Sequence, residues 1–305
     1  MPSDATRRSI HESGVKRPRR RCTFYDMKHS NNAARVRLWL RLNADALSTL
    51  ETGGDLTIES VMMSHADIEA DSYGEINPLK KVPALLTELS EEDGAAPARL
   101  QLFEAAVIMG FLEDVCPSPL VRGTPEERAL ASLIVRCHDL YVSSPNCTQP
   151  NFSHTQGCMY LDPSPTPFTP ERRTMDARTR HAKLTELHRQ LHWLEGVAAC
   201  APYLGGGRLT HADLTWFPTA VFMELLLPRV FGWEAVFCAS GEKERGQPPL
   251  PKLGAWFRML AGQASFAKTR QEIRGTLLEQ AGRGRFVGVR EDVRAHASEY
   301  RWKLV

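Results

Sequence analysis

The 305-residue sequence has no Cys-x-x-Cys pair, and its seven cysteines are scattered and odd in number. That excludes the paired ligands of a common structural zinc site and the framework of a secreted disulfide-rich domain, and it predicts a reducing, cytoplasmic setting. No apolar run approaches the roughly 18 residues that a membrane-spanning helix needs, so no membrane partner is expected. The net charge is only +2, and no basic stripe is interleaved with aromatics, so a nucleic-acid partner is not expected either. Gly205-Gly206-Gly207 has neither the Walker nor the Rossmann spacing and reads as a turn. There is no His-Glu-x-x-His; His188 and His192 share an i,i+4 spacing but read as packed or partly exposed side chains, and no metal is expected.

What is present is the composition of an ordinary globular protein, 42% hydrophobic and 24% charged, in a chain long enough for two domains. Residues 1–21, with a basic cluster from Lys16 to Arg21, read as a disordered tail. Residues 22–117 mix strand and helix periods. A strand ends near Tyr25, and a helix capped by Asn31 or Asn32 carries Val36, Trp39, Leu40 and Asn43 on one side. Leu56–Met62 alternates as a second strand, a third begins at Ala84, and the run from Leu100 to Ala105 passes from a fourth into a helix with Val107, Ile108, Phe111, Leu112 and Val115. Ser90–Ala98 reads as an exposed insertion, and Cys116-Pro117-Ser118-Pro119 as a linker.

Residues 124–280 show helical periods alone. Thr124-Pro125-Glu126-Glu127 is a capping box ahead of a face containing Leu130, Leu133, Ile134, Cys137 and Tyr141. A Pro-, Ser- and Thr-rich insertion at 143–170 has almost no period and reads as a mobile flap. Glu171–Ala199 places Leu184, Leu187, Leu191 and Leu194 on a buried side. A second capping box, Thr210-His211-Ala212-Asp213, opens a helix from Leu214 to Leu227 that is apolar nearly all round, contains Pro218 and is expected in the core. Further helices follow at Leu253–Leu260 and from Ser265; residues 281–305 form a tail with no evident role.

The segment Asn77–Leu85 organises this pattern. Two prolines five positions apart exclude a regular helix, and Val82-Pro83 is a candidate cis bond that turns the backbone of Val82 toward an extended ligand. Ser30 lies just ahead of a helix N-terminus, where unpaired N–H groups favour negative charge; it reads either as a cap or as a donor to an anion. Ser30 five residues before Arg35, Asn77-Pro78 through Val82-Pro83, and Glu104 after the fourth strand occur in that order and spacing. From Cys22 to Leu277 the chain resembles the glutathione transferase superfamily, and in its serine it resembles the zeta, theta, phi and tau classes.

The resemblance implies a thioredoxin-like α/β N-terminal domain followed by an all-α helical C-terminal domain. It implies glutathione as co-substrate, a small apolar electrophile as second substrate and a homodimer. It assigns Ser30 to the thiolate, the backbone of Val82 beside Pro83 to the cysteinyl unit, Lys81 to the glycyl carboxylate, and Glu104 to the γ-glutamyl ammonium. The chain departs from the family pattern at Ala105, where a serine is usual, so the γ-glutamyl carboxylate is left with the backbone amide. Asn31 and Asn32 depart from the zeta class in the same way. His138 and Tyr141 are the candidates for the second-substrate pocket. Two functions are consistent with this pattern: an enzyme activating the glutathione thiolate, or a transferase-like module that assembles or carries ligands without catalysis.

Overall fold

The computed structural model describes residues 19–90, 98–116, 120, 123–143, 155–233, 236–238 and 250–298. The first half contains β1 (Arg19–Asp26), α1 (Asn31–Leu42), α2 (Ala44–Thr52), β2 (Leu56–Met62), α3 (His65–Glu69), α4 (Asp71–Gly74), β3 (Ala84–Ser90), β4 (Ala98–Phe103) and α5 (Ala105–Val115). The sheet order is β2-β1-β3-β4. β1 runs parallel to β2, as a connection through α1 and α2 allows, and antiparallel to β3, which pairs antiparallel with β4. The second half is helical: α6 (Pro125–Cys137), α7 (Ala177–Val197), α8 (His211–Leu226), α9 (Pro251–Ala261), α10 (Ala264–Gly282) and α11 (Val287–Ala295). A mixed sheet with helices followed by an all-helical half is the expected fold class.

Local chemistry explains most of these boundaries. Cys22 and Phe24 of β1 are buried while Thr23 and Tyr25 are partly exposed, the period of two that puts one face of a strand on a core. Both capping boxes form: Thr124 and Thr210 accept from first-turn amides while Glu127 and Asp213 bond the cap nitrogens. α8 is buried on nearly every side. With its continuation to Phe231 it is long and apolar enough to cross a membrane by length and composition, but most of it is buried inside the protein as a core helix. The expectation of no apolar run of that length holds for the uninterrupted run, which Asp213 and Glu224 bound, but not for the helix taken as a whole with its polar residues included.

Other expectations are corrected too. β1 starts at Arg19, three residues inside the expected tail, because ladder pairing to Leu56 on one side and Leu89 on the other is made by backbone and ignores side-chain polarity. Ser30, not Asn31 or Asn32, caps α1. On α6 the buried face is Ala131, Ile134 and His138; Leu133 and Tyr141 are exposed. The long helix begins at Ala177, where Asp176 caps it, after a short turn at Glu171–Arg173.

The insertion and the tail differ most from expectation. Thr155–Met159 forms a buried 3-10 turn packed against α7, so this part of the expected flap belongs to the core. Residues 91–97 and 144–154, within the two expected insertions, lie outside the described residues. The reason for the packing is Arg180, fully buried on α7. Its guanidinium donates to the carbonyls of Cys158, Leu161 and Met175 at 2.7–3.0 Å and to Asp292 Oδ2 of α11 at 2.8 Å. One side chain therefore ties the insertion and the tail to the helical core. We expect Asp292→Ala, which strands a buried cation, to cost about 3 kcal/mol, the lower end for breaking a buried pair, since three carbonyls still solvate the guanidinium. The double change Arg180→Met with Asp292→Leu should cost less than Asp292→Ala alone; urea unfolding of both variants checks this.

Candidate functional site

Asn77 shapes the segment that enters β3. Its Oδ1 accepts from Leu79 N at 3.0 Å, the short-range bond of an Asx turn, and its Nδ2 donates to Lys81 O at 2.7 Å. The hydroxyl of Tyr73 donates to the same carbonyl at 2.7 Å. The Val82–Pro83 bond is cis, as the sequence suggested. Pairing of β3 with β1 begins at Ala84 opposite Tyr25, which leaves Val82 just ahead of the ladder.

Ser30 stands across from it. Its backbone is extended, its N–H donates to Met27 O at 2.8 Å, and its Oγ accepts from Ala33 N at 3.2 Å. It is thus a helix cap. Capping uses a lone pair and leaves the hydroxyl proton available, so the two sequence readings of Ser30 are compatible.

Glu104 is the N-cap of α5 with φ 71° and ψ 118°, and its side chain makes no capping bond. A non-glycine residue held in this region costs about 1–3 kcal/mol, and such strain concentrates at functional positions. Ala105 begins α5 and is buried.

These elements enclose two adjoining cavities. Lys81, Val82, Pro83, Glu104 and Ala105 line one of about 330 Å³ together with Arg35, Asn77 and Arg136. Ser30 lines the other, of about 250 Å³, with the insertion and the segment after α10 forming much of its far wall. Asn32, Lys81, Val82 and Ser143 border both. The structure thus brings six of the eight candidate residues to one continuous region. His138 and Tyr141 are not in it: His138 is buried and Tyr141 is 46% exposed on the surface. Helical periodicity placed Leu133 and Tyr141 on the inward face with Ile134, whereas the inward face is Ala131, Ile134 and His138, and it meets the core rather than either cavity.

His138 belongs instead to a buried polar chain behind the site. Asn31 Nδ2 donates to Gln156 Oε1 at 2.9 Å and to Thr219 Oγ1 at 2.8 Å. Thr219 in turn meets His138 Nε2 at 2.8 Å, His138 Nδ1 meets Asp139 Oδ1 at 3.0 Å, and Asp139 pairs with Arg35 at 2.7 Å. The hydroxyl proton of Thr219 then points to Nε2 and the ring proton lies on Nδ1, toward Asp139. Burial pushes the His138 pKa down, which suits this neutral form. Burial also works against charge on Asp139, but Arg35 and His138 outweigh it and hold the carboxyl well below the usual range. Asn31 and Asn32 thus border and brace the site.

His29, beside Ser30, is shifted down to about 4, first by burial and then by His65, Arg285 and Arg37. His188 and His192 lie against each other with their rings tilted by 47° and their Nε2 atoms 3.1 Å apart. Among the described residues no group of three or more His, Cys, Asp or Glu could hold a metal ion.

With this geometry in place, the comparisons with known proteins can be stated. Residues 176–258 match the family described as glutathione S-transferase, C-terminal domain. Glutathione transferase Omega 1C from Trametes versicolor has a similar structure, with a TM-score of 0.58 at 17% identity, covering 88% of this chain and 98% of that one. The chain carries the fold of the glutathione transferase superfamily. Glutathione transferase F7 from Populus trichocarpa superposes with a TM-score of 0.55 at 16% identity over 83% of this chain and 99% of that one. A glutathione transferase family member from Pseudomonas fluorescens, solved with two glutathione bound, gives 0.55 at 17% identity over 82% and 92%. Comparison with curated protein sequences gave no significant match. The superfamily read from the motifs is thus supported by the fold and by the C-terminal domain.

The sequence missed Tyr160, Phe168, Arg173 and Arg285, all of which line the Ser30 cavity. Aromatics within an otherwise polar insertion were the available signal.

Two outcomes follow from the site's geometry. Glycine relieves the strain at Glu104 but adds unfolded-chain entropy, so Glu104→Gly should leave stability unchanged or raise it by up to about 2 kcal/mol in chemical denaturation. Because His29 has a depressed pKa when folded, the unfolded chain binds its proton first. Its contribution to stability is complete above pH 6.5 and is lost as pH falls through 6.5 toward about 4. Melting curves of His29→Gln across that window should show a shallower loss than the parent.

Proposed function

We propose that this protein is a glutathione transferase that activates the glutathione thiolate at Ser30 for attack on a small electrophile. The observation that carries the reading is the meeting of two cavities at Lys81 and Val82, with a capped helix N-terminus on one side and the strained Glu104 on the other. Such a site suits an extended zwitterion with a thiol in the middle. Val82, ahead of the strand ladder, offers backbone pairing to the cysteinyl unit. Glu104 takes the γ-glutamyl ammonium, the amide of Ala105 at the start of α5 takes its carboxylate, and Lys81 lies toward the glycyl carboxylate. The glutathione bound in the Pseudomonas fluorescens family member supports the co-substrate.

The chemistry requires lowering a thiol pKa that is ordinarily about 8.5. The Ser30 hydroxyl proton, directed at the sulfur, and the unpaired amides of the first turn of α1 both favour the anion over the thiol. No covalent enzyme intermediate is needed. Exposed Val107 and Leu140 at the Glu104 cavity, with exposed Leu133 and Tyr141 elsewhere in the helical half, support a homodimer.

A non-catalytic, ligand-carrying module is the second reading. It is favoured by Ala105, which removes one hydroxyl from the expected anchor. Retention on immobilised glutathione, lost in Glu104→Gly, is expected of both an enzyme and a glutathione carrier; failure to be retained would reject both glutathione roles. Ser30→Ala separates enzyme from carrier. Losing the cap should cost about 0.5–2 kcal/mol of stability in either case. In an enzyme it should also raise the pKa of the bound thiol, read from thiolate absorbance, and cut turnover at neutral pH with partial recovery at higher pH. An unchanged thiol pKa would remove Ser30 from the chemistry.

A further inference from the structure

Arg285 sits in the short turn between α10 and α11, a position made by Gly284 at φ +85°. Its guanidinium carbon lies 5.4 Å from the centroid of the Tyr160 ring and 5.9 Å from those of Phe168 and Phe286. Nη1 donates to the neutral Gln280 Oε1 at 2.6 Å, and Nε is buried without a partner. It forms no ion pair among the described residues. Asp162, the carboxylate nearest to influencing it, accepts instead from the hydroxyls of Thr166 and Thr169, both at 2.9 Å. A guanidinium has five donors, and here one is used. Contact with aromatic faces offsets only part of the cost of desolvating such a cation.

The cavity it faces is the one Ser30 lines. Arg173 and Lys81 add positive charge to the wall, Lys80 is engaged by Asp71 at 2.9 Å, and Glu69 is the acidic side chain among the lining residues. His29 and His65 also face this space, and burial holds both below their ordinary pKa, so neither adds positive charge at neutral pH. Tyr160, Phe168 and Phe222 supply apolar surface.

We propose that this cavity selects an anionic aromatic second substrate, a ring compound bearing a carboxylate, and that Arg285 is the residue that sets this preference. A planar carboxylate matches the fork of a guanidinium, and the ring of the same molecule packs on Tyr160 and Phe168. The position is built for this purpose by contacts remote from Ser30. Arg180 holds both the insertion that carries the rings and, through Asp292, the helix that follows Arg285. A Cβ on Gly288 of α11 would come within 2.7 Å of Asp162 Oδ1, so the turn and the insertion are closely seated against each other. Calling the ligand a substrate rests on the transferase reading; the anion preference itself does not.

The test separates the two. Binding of an unreactive dinitrobenzoate and of the matching uncharged benzamide is measured on the full chain by calorimetry, without glutathione. The acid should bind about tenfold or more tightly than the amide, in keeping with a charge-assisted hydrogen-bond pair. Arg285→Met should abolish the difference while leaving amide affinity unchanged. Arg285→Lys should retain part of it, and Phe168→Leu should weaken both compounds together. Equal affinities in the parent, or a preference that survives in a folded Arg285→Met, would overturn the proposal. Should Arg285→Met fail to fold, Arg285→Lys and Phe168→Leu still decide: no loss of acid preference in the first and no common loss in the second count against it. With the chlorinated pair as electrophiles, kcat/KM should follow the same ratio. Retention on glutathione without acid preference would reject the anion proposal alone. Arg285-dependent acid preference without glutathione retention would reject the transferase reading alone.

Discussion

The loop that carries Ser30 is held in place by Arg37, a 7%-exposed arginine on the second turn of α1. Its Nε and Nη2 grip the two oxygens of Asp26 at 2.6 and 2.9 Å; Nη2 also meets Met27 O, and Nη1 meets Lys28 O and Glu272 Oε2 of α10. All five donors are satisfied, which is what a buried guanidinium requires. The carbonyls and carboxylate of three successive loop residues are thereby fixed, and the partner from α10 makes the loop's geometry depend on the helical half. Arg41 repeats the link through Glu272 and Thr269. The Ser30 loop is thus positioned by contacts from both halves of the molecule.

The other faces of α1 are tied in the same manner. Trp39 Nε1 donates to Glu113 of α5 at 2.9 Å, and His211 at the start of α8 meets the same oxygen at 2.8 Å. Asn31 reaches Gln156 and Thr219, and Arg35 reaches Asp139. Buried polar groups are costly unless paired, so although Arg35 Nε and Glu113 Oε2 are left without partners, the paired atoms restrict this network to few arrangements. That restriction gives the site its definite shape. It also explains why Thr155–Met159 is buried although its composition is that of a loop: Gln156 completes the Asn31 pair, and the carbonyl of Cys158 completes Arg180.

The two cavities differ in character, as the proposed reading with two ligands requires. One is bounded by a strained carboxylate residue, a turn shaped by Asn77 and the start of α5, features suited to a polar zwitterion. The other combines aromatic rings with arginines supplied by the insertion and the tail. The cavities share a border at Val82 and Lys81, which the proposed reading makes the meeting point of glutathione and its electrophile. The arginines and aromatic rings of the second cavity come from segments outside the sheet-containing half, while Ser30, His29, His65 and Lys81 line its other side from within that half.

Much of this was legible from the chain alone. The periods of two and of about 3.6, the capping boxes at Thr124 and Thr210, the Val-Pro step and the apolar run of α8 are local signals, set by backbone sterics and by which side chains recur on one face. They indicated the four strands, the main helices and the two-part architecture, and singled out Ser30 and Val82; Glu104 was singled out by the resemblance to a known superfamily. Tertiary structure alone decided the rest. The buried turn after residue 154 and the cluster around Arg285 have no period of their own; Arg180 ties that turn to the core through the Cys158 carbonyl and holds α11 through Asp292. Whether His138 would face a cavity or the core, and whether Leu133 would be covered, depended on which neighbour arrived at each face of α6. Local sequence fixes which groups a helix turns inward, but only the assembled neighbours determine whether they meet a ligand, another side chain or water.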